Sequence, residues 1–229
     1  VVKIKAHIVM CVHGKISVPA VQSLTGFLMS DYRKYFDVSV TFATSSLIER
    51  VRSIQATKFL DDESLGDVFV FIDDDIKYDP TALFKIVMES YNNDAIVAGT
   101  YPSRTPPNIK PTASNWDKTK DLLIKSDQQL IPVELIGMGF TAIPRSVLEN
   151  LALTLPRIGT EKMVPFFANL TPEIDGQIYF FGEDYSFCWR CKQAGLLIYV
   201  DQSIYLEHEG SKLYNWGDLT APDTTTKVK

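Results

Sequence analysis

Two kinds of apolar patterning alternate along the first half of the chain. Residues 6–12 (AHIVMCV), 38–43 (VSVTFA), 68–72 (VFVFI) and 94–100 (DAIVAGT) are compact apolar runs of strand length. The stretches between them carry helical spacing. A helix is expected over 18–30. A second should run to about Leu60, with Leu47, Val51 and Ile54 on one face and the capping-box pattern Ser46-Leu47-Ile48-Glu49 at its start. A third is expected from 80 to about 91, with Asp79 as N-cap and Pro80 at the first helical position. The run 68–72 is apolar without interruption, as a parallel strand covered on both faces should be. The order β-α-β-α-β-α-β implies an α/β fold with an open, mostly parallel twisted sheet flanked by helices.

The texture changes after residue 100. Residues 101–118 hold four prolines and read as a long loop, of a kind that in compact domains is often functional. Residues 120–136 resemble a strand pair. Residues 137–145 read as a turn, a short strand and a helix start, and 155–181 as irregular. Gly182-Glu183-Asp184 opens a helix that should end near Gly195, a natural residue to follow a helix C-cap. A strand is expected over 196–200. Residues 1–218 are expected to form one domain, with halves at 1–105 and 106–218, and 219–229 a flexible tail.

The chain has 229 residues and a net charge of −5. No Lys/Arg block is present, which argues against nucleic acid as a partner. No apolar run approaches the ~20 residues that span a bilayer, so no transmembrane segment is expected. The first residues are too short and too strand-like for a signal peptide, which points to a cytoplasmic protein. The start without Met is expected of a domain cut from a longer protein, whose remainder could carry its own targeting. The cysteines are Cys11, Cys188 and Cys191, an odd number and no disulfide framework. Cys188-Trp189-Arg190-Cys191 matches C-x-x-C. It lacks nearby zinc ligands and sits inside an expected helix, so packed free thiols are expected.

The strongest chemical signal is Asp73-Asp74-Asp75, directly after the third strand. In open parallel sheets, ligands bind beyond the carboxyl ends of the strands. Adjacent carboxylates repel and raise one another's pKa. A divalent cation such as Mg2+ or Mn2+ removes that penalty and also binds phosphates. A solvated turn capping the next helix is the plainer alternative, but Asp79 already supplies that cap. Glu183-Asp184 is a second candidate, although a helix N-terminus favours carboxylates anyway. His208, within Tyr205-Leu206-Glu207-His208-Glu209-Gly210, is a third. Alone it would be an ordinary surface histidine, yet imidazole is an acceptable Mn2+ ligand.

Taken in order, D-x-D at Asp73 to Asp75, G-x-G-F at Gly137 to Phe140, G-E-D-x-x-F-C-x-R at Gly182 to Arg190 and H-x-G at His208 to Gly210 resemble the motifs of GT-A glycosyltransferases, most closely family 2. The resemblance spans residues 6–210. The compact size is also similar to the small GT-A domains of large algal viruses. The resemblance implies a nucleoside-diphosphate sugar donor, UDP-linked in preference, and a glycan or glycoprotein acceptor. It implies Mn2+ or Mg2+ held by Asp75, with Asp73 on the metal or its waters and His208 as a third protein ligand. Asp74 would reach the ribose. Asp184 would be the general base of an inverting transfer, with Glu183 beside it in the acceptor site. By position, His13 and Lys15 in the first βα loop would meet base or phosphate, with an exposed loop as the alternative; Thr44 and Ser45 would face the base, Arg52 the nucleotide, and Arg104 phosphate or donor-sugar hydroxyls. The Asn that usually follows the arginine is Ser53 here, and a local pair between Arg52 and Glu49 is the alternative. Trp116 is a candidate sugar platform, and Gly139 would let backbone approach the sugar closely.

Four other readings use the same residues. A retaining GT-A transferase would need no base at Asp184. A haloacid-dehalogenase-type phosphatase also ends a strand in D-x-D, but places it near the chain start and follows it with an apolar residue and Thr. A sugar nucleotidyltransferase would bring a Gly-rich N-terminal phosphate loop, where this chain has Gly14 alone. A non-catalytic nucleotide-sugar binding module would not need Asp184 and His208 intact.

Overall fold

The computed structural model describes residues 3–104, 109–115, 128–210 and 212–219. Its elements are β1 (Ile4–Val12), α1 (Val18–Leu28), β2 (Phe36–Thr44), α2 (Ile48–Asp61), β3 (Val68–Asp73), β4 (Ile76–Tyr78), α3 (Pro80–Asn93) and β5 (Ile96–Ala98). There follow β6 (Ala113–Ser114), β7 (Leu130–Pro132), β8 (Leu135–Ile136), β9 (Phe140–Pro144) and α4 (Arg145–Ala152). The last are β10 (Glu173–Ile174), β11 (Gln177–Ile178), α5 (Glu183–Gln193), β12 (Ile198–Asp201), β13 (Leu206–Glu209) and β14 (Leu213–Tyr214).

Among the described residues the central sheet has seven strands in the order β2-β1-β3-β9-β5-β12-β7. β1 pairs in parallel with β2 and β3, and β12 with β5. β9 runs antiparallel between β3 and β5, and β7 runs antiparallel along the edge. Five of the seven strands therefore point the same way, and the sheet is the mostly parallel one the patterning predicts. Period-two alternation divides the core between the two faces. Val9, Cys11, Phe69 and Phe71 pack on one side with Val51, Ala56 and Phe59 of α2, Val147 and Leu148 of α4, and Phe187 and Cys188 of α5. Ile8, Met10, Val70 and Ile72 pack on the other with Leu24 and Phe27 of α1 and Leu83 and Ile86 of α3. Each fully buried Phe or Ile of this kind contributes about 1.5–3 kcal/mol through apolar burial.

Local signals decide some boundaries and not others. Asp79 caps α3 as expected, its Oδ1 accepting from Thr81 N at 2.7 Å and Ala82 N at 3.2 Å. The capping box at Ser46 and Glu49 does not form: α2 starts at Ile48, and Ser45 Oγ accepts from Leu47 N at 3.1 Å instead. Of the expected strand pair over 120–136, residues 120–127 lie outside the described residues, and the described part forms two separate short strands. Leu130–Pro132 joins β12, whereas Leu135–Ile136 joins β6 in a separate sheet. Trp116 and the tail from 220 onward also lie outside the described residues. The stretch 155–181, expected to be irregular, contains the β10–β11 hairpin. The expected strand 94–100 narrows to β5, because Asp94 adopts the left-handed conformation (φ 48°) that ends α3. His208 lies inside a strand rather than after one. β13 pairs with β4 and β14 in a small sheet, with His208 opposite Ile76 and Tyr214.

All three cysteines are buried and unbonded, in keeping with packed thiols. No helix among the described residues is long and apolar enough to cross a membrane.

A half-buried carboxyl, Glu89, and a buried one, Asp201, tie α3 to β12. Gln129 Nε2 donates to Glu89 Oε1 at 2.7 Å and to Asp201 Oδ2 at 3.1 Å, while Glu89 Oε2 is buried without a partner. Burial, then the charge of Asp201, pushes the Glu89 carboxyl up from its ordinary 4.5 to about 8. The folded chain thus holds a proton that the unfolded chain releases, and stability falls as pH rises from about 4.5 to about 8. Glu89→Gln should flatten this dependence. Urea midpoints at pH 5 and pH 8 should lie closer together in the variant than in the wild type; an equal spacing in both would show that Glu89 is not the titrating group.

Candidate active site

The carboxyl end of β3 opens onto a cleft of about 650 Å³. The first βα loop contributes His13, Lys15 and Ser17; the entry to α2 contributes Ser45, Ser46, Glu49 and Arg52. Asp73, Asp74 and Asp75 form its floor with Cys11, and Glu183 and Asp184 enter from the start of α5. Arg104, Glu209 and Gly210 complete the wall. Thr44 ends β2 and is exposed without lining the cleft, while its neighbours Ser45 and Ser46 do line it.

Arg52 is the centre of this arrangement. The local pair with Glu49 is not what it makes. Its side chain is 3% exposed and points from α2 toward the sheet. Nη2 donates to Asp73 Oδ1 at 2.8 Å, and Nη1 donates to Glu183 Oε1 at 3.3 Å and to Asp184 Oδ1. The guanidinium lies over the Phe71 ring, 5.5 Å from its centroid. One cation therefore joins the end of β3 to the start of α5. Burial works against its charge, but the carboxylates of Asp73 and Asp184 outweigh that and hold it protonated. Helix α2 is fixed in this pose by two hydroxyls: Phe167 N donates to Ser53 Oγ at 3.0 Å and Val164 N to Thr57 Oγ1 at 2.9 Å.

The three aspartates have three different environments. Asp73 faces Arg52. Asp74 Oδ2 accepts from the His13 backbone N at 2.7 Å, and its own carbonyl accepts from Ser17 N at 2.8 Å. Burial raises its pKa, and Asp75 and Asp73 raise it further, as expected of like charges in sequence. Asp75 Oδ2 accepts from Arg104 Nη1, and Oδ1 lies 3.5 Å from His208 Nε2. Burial pushes Asp75 up, but His208 and Arg104 outweigh it and set the carboxyl below its usual range.

Asp184 is pushed up to about 7, mainly by burial; Arg52 opposes the shift, while Glu183 and Asp73 add to it. Cys11 is pushed up to about 12 by burial, so it faces the cleft as a neutral thiol.

Three contributors carried no sequence signal of their own. Tyr101 is buried and its hydroxyl accepts from Gly139 N at 3.0 Å. A Cβ at Gly139 would lie 2.7 Å from Asp73 Oδ2, so glycine here lets β9 press against the Asp73 carboxylate. The Pro102 carbonyl takes His208 Nδ1 at 2.9 Å. Glu209 lines the cleft with its Oε2 buried and unpartnered. Only the E-H-E-G spelling around His208 could have drawn attention to it.

Among the described residues, no three His, Cys, Asp or Glu side chains converge as a ready-made metal cage. Asp73 is turned to Arg52 and Asp75 to Arg104, rather than toward one another. The donor chemistry nonetheless fits a divalent cation. Carboxylate oxygens dominate, as Mn2+ and Mg2+ prefer. Because Nδ1 of His208 is engaged by a carbonyl, Nε2 is left to face Asp75, the orientation that fixes an imidazole as a ligand.

Neither a protein-family model nor a curated protein sequence matches the chain. Solved structures do. The structure titled A197 from STIV matches with a TM-score of 0.56 at 18% identity, over 97% of this chain and 100% of that one. GalNAc-T7, crystallised with UDP, GalNAc and Mn2+, matches with a TM-score of 0.58 at 14% identity, over 90% of this chain but 44% of its own. At these identities the likeness establishes the fold, which is GT-A-like.

Replacing Arg52 by Met should leave Asp73, Glu183 and Asp184 without their shared counter-charge. Breaking such a pair from one side costs about 3–5 kcal/mol when buried, and the low end applies because these carboxylates are 22–28% exposed. Urea unfolding checks this; a loss under about 1 kcal/mol, the scale of an exposed pair, would remove Arg52 from its central place.

Proposed function

We propose that the chain is a metal-dependent, inverting glycosyltransferase that moves a sugar from a UDP-sugar to a hydroxyl of a glycan or glycoprotein acceptor, with Mn2+ or Mg2+ as cofactor. One observation carries this reading: seven carboxylate side chains line the cleft against three cationic ones, Lys15, Arg52 and Arg104. A diphosphate alone would be repelled by such a wall. A bound divalent cation would offset part of that negative charge beside the diphosphate and stabilise charge on it as it departs. The GT-A-like fold supports the reading, as does the presence of UDP and Mn2+ with GalNAc-T7.

Within this reading Asp75 and His208 would hold the cation, and Asp73 would serve it or its waters. Asp74, fixed by the His13 N–H, faces the ribose. His13, Thr44 and Arg104 border the nucleotide, and Gly139 keeps β9 close under the sugar. Arg52 serves the donor indirectly, by fixing Asp73. Residues 1–105 bind the nucleotide and 106–218 shape the acceptor side. Asp184 accepts the proton of the acceptor hydroxyl, and its pKa of about 7 suits a base working near neutrality. Glu183 shares the Arg52 guanidinium and keeps Asp184 facing the cleft.

Titration calorimetry of UDP with and without Mn2+ tests the donor site. Binding should require the metal and should be lost in Asp75→Ala. No binding of UDP, GDP or dTDP under either condition would overturn the reading. The chemical step is tested by Asp184→Asn, which should cut transfer by roughly 10²–10⁴-fold while UDP binding persists. Product anomer determined by NMR should be inverted; retention would remove the base role from Asp184.

A further inference from the structure

Arg104 stands where the proposed site needs a cation. Its Nη1 donates to Asp75 Oδ2 and, at 3.0 Å, to the carbonyl of Glu209. The stem lies against Gly210, where a Cβ would meet Arg104 Cδ at 3.0 Å, so glycine makes room for it. The segment that carries Arg104 is itself anchored. Tyr101 holds Gly139 N, the Pro102 carbonyl holds His208 Nδ1, and Pro102 bridges to Pro111. Arg104 is thus delivered to Asp75 by the same few residues that orient His208 toward it. Unlike Arg52, its side chain is 47% exposed, so it can leave Asp75 without opening the core.

We propose that Arg104 is an exchangeable counter-ion for the Asp75–His208 site, which couples metal binding to nucleotide binding. The proposal rests on the nucleotide-sugar reading above. With the cleft unloaded, the guanidinium neutralises Asp75 and keeps the carboxylates together. A divalent cation competes for the same carboxylate, and two cations on one carboxylate repel, so metal entry expels Arg104. Released from Asp75, Arg104 keeps only the single donation to the Glu209 carbonyl until a diphosphate arrives beside the metal. The diphosphate then supplies a new partner, in the planar, charge-assisted mode suited to guanidinium. Metal alone therefore binds against the cost of displacing Arg104, and metal with nucleotide recovers it. By linkage, each ligand raises the affinity for the other by the same factor.

The test is titration of Mn2+ followed by the electron paramagnetic resonance of the free ion, without and with UDP. Removing the competitor in Arg104→Ala should tighten binding of Mn2+ alone by fivefold or more. It should also shrink the factor by which UDP strengthens Mn2+ binding. Arg104→Lys, which keeps a charge but loses the fork, should fall between wild type and Ala. Adding Asp75→Ala to Arg104→Ala should abolish the gain and so locate it at this carboxylate. The proposal is overturned if wild type binds Mn2+ in the presence of UDP, yet Arg104→Ala binds Mn2+ alone no more tightly than wild type. Failure of wild type and variant alike to bind Mn2+, with or without UDP, would overturn the underlying nucleotide-sugar reading instead. Tight binding of Mn2+ alone by the variant, with no effect of UDP on either protein, would support the counter-ion role and count against the nucleotide.

Discussion

The buried guanidinium of Arg52 is the constraint on which the site depends. Five carboxylates crowd the ends of β3 and α5: Asp73, Asp74, Asp75, Glu183 and Asp184. Two of these groups arrive from opposite halves of the chain, and their mutual repulsion would push those halves apart. Arg52 reverses the sign of that interaction by taking Asp73 on one amino group and Glu183 with Asp184 on the other. A lysine could not do the same, because a point charge cannot hold acceptors along two fixed directions. The cost of burying the cation is met by hydrogen bonds on both terminal nitrogens and by the Phe71 face. Nε is left buried and unpartnered, a residual cost of the arrangement.

The candidate site was legible where its signals are local, and obscure where it depends on residues far apart. Three aspartates after an apolar run announce themselves, as does a Glu-Asp pair after a glycine. The Asp79-Pro80 cap was readable because its partners, Thr81 and Ala82, are its own neighbours. The capping box at Ser46 was misread because Ser45, one residue earlier, offers the same hydroxyl and takes the turn. β4 is three residues long and has no period to detect; it exists because β13 pairs with it. The same holds for the strands near 130–136, whose partners lie in different sheets. Arg52 drew notice as a nucleotide contact, but its true partners are set by the crossing of α2 over the sheet. Burial of a charged side chain cannot be read from helical spacing alone.

The two arginines divide one electrostatic task. Arg52 is sealed, and it sets the distance between Asp73 and Asp184. Arg104 is half-exposed and borne on a loop, and it balances the outermost aspartate. Both cations offset the negative charge that lines the cleft. The GT-A-like sheet supplies the platform, and the loop after β5 supplies the exposed cation.

The small β14-β13-β4 sheet has a consequence for the timing of biosynthesis. Lys77 on β4 pairs with Glu207 on β13, 130 positions later in the chain. Ribosomes add roughly 5–20 residues per second, so β4 and the neighbouring Asp75 wait roughly 6–26 s for their partner strand to be made. During that interval β1, β2 and β3 can already assemble, leaving the aspartates at the end of a partly finished sheet. The imidazole that faces Asp75 is among the last groups to reach the nascent fold. The Asp75–His208 contact therefore forms only when nearly all of the described chain has been translated.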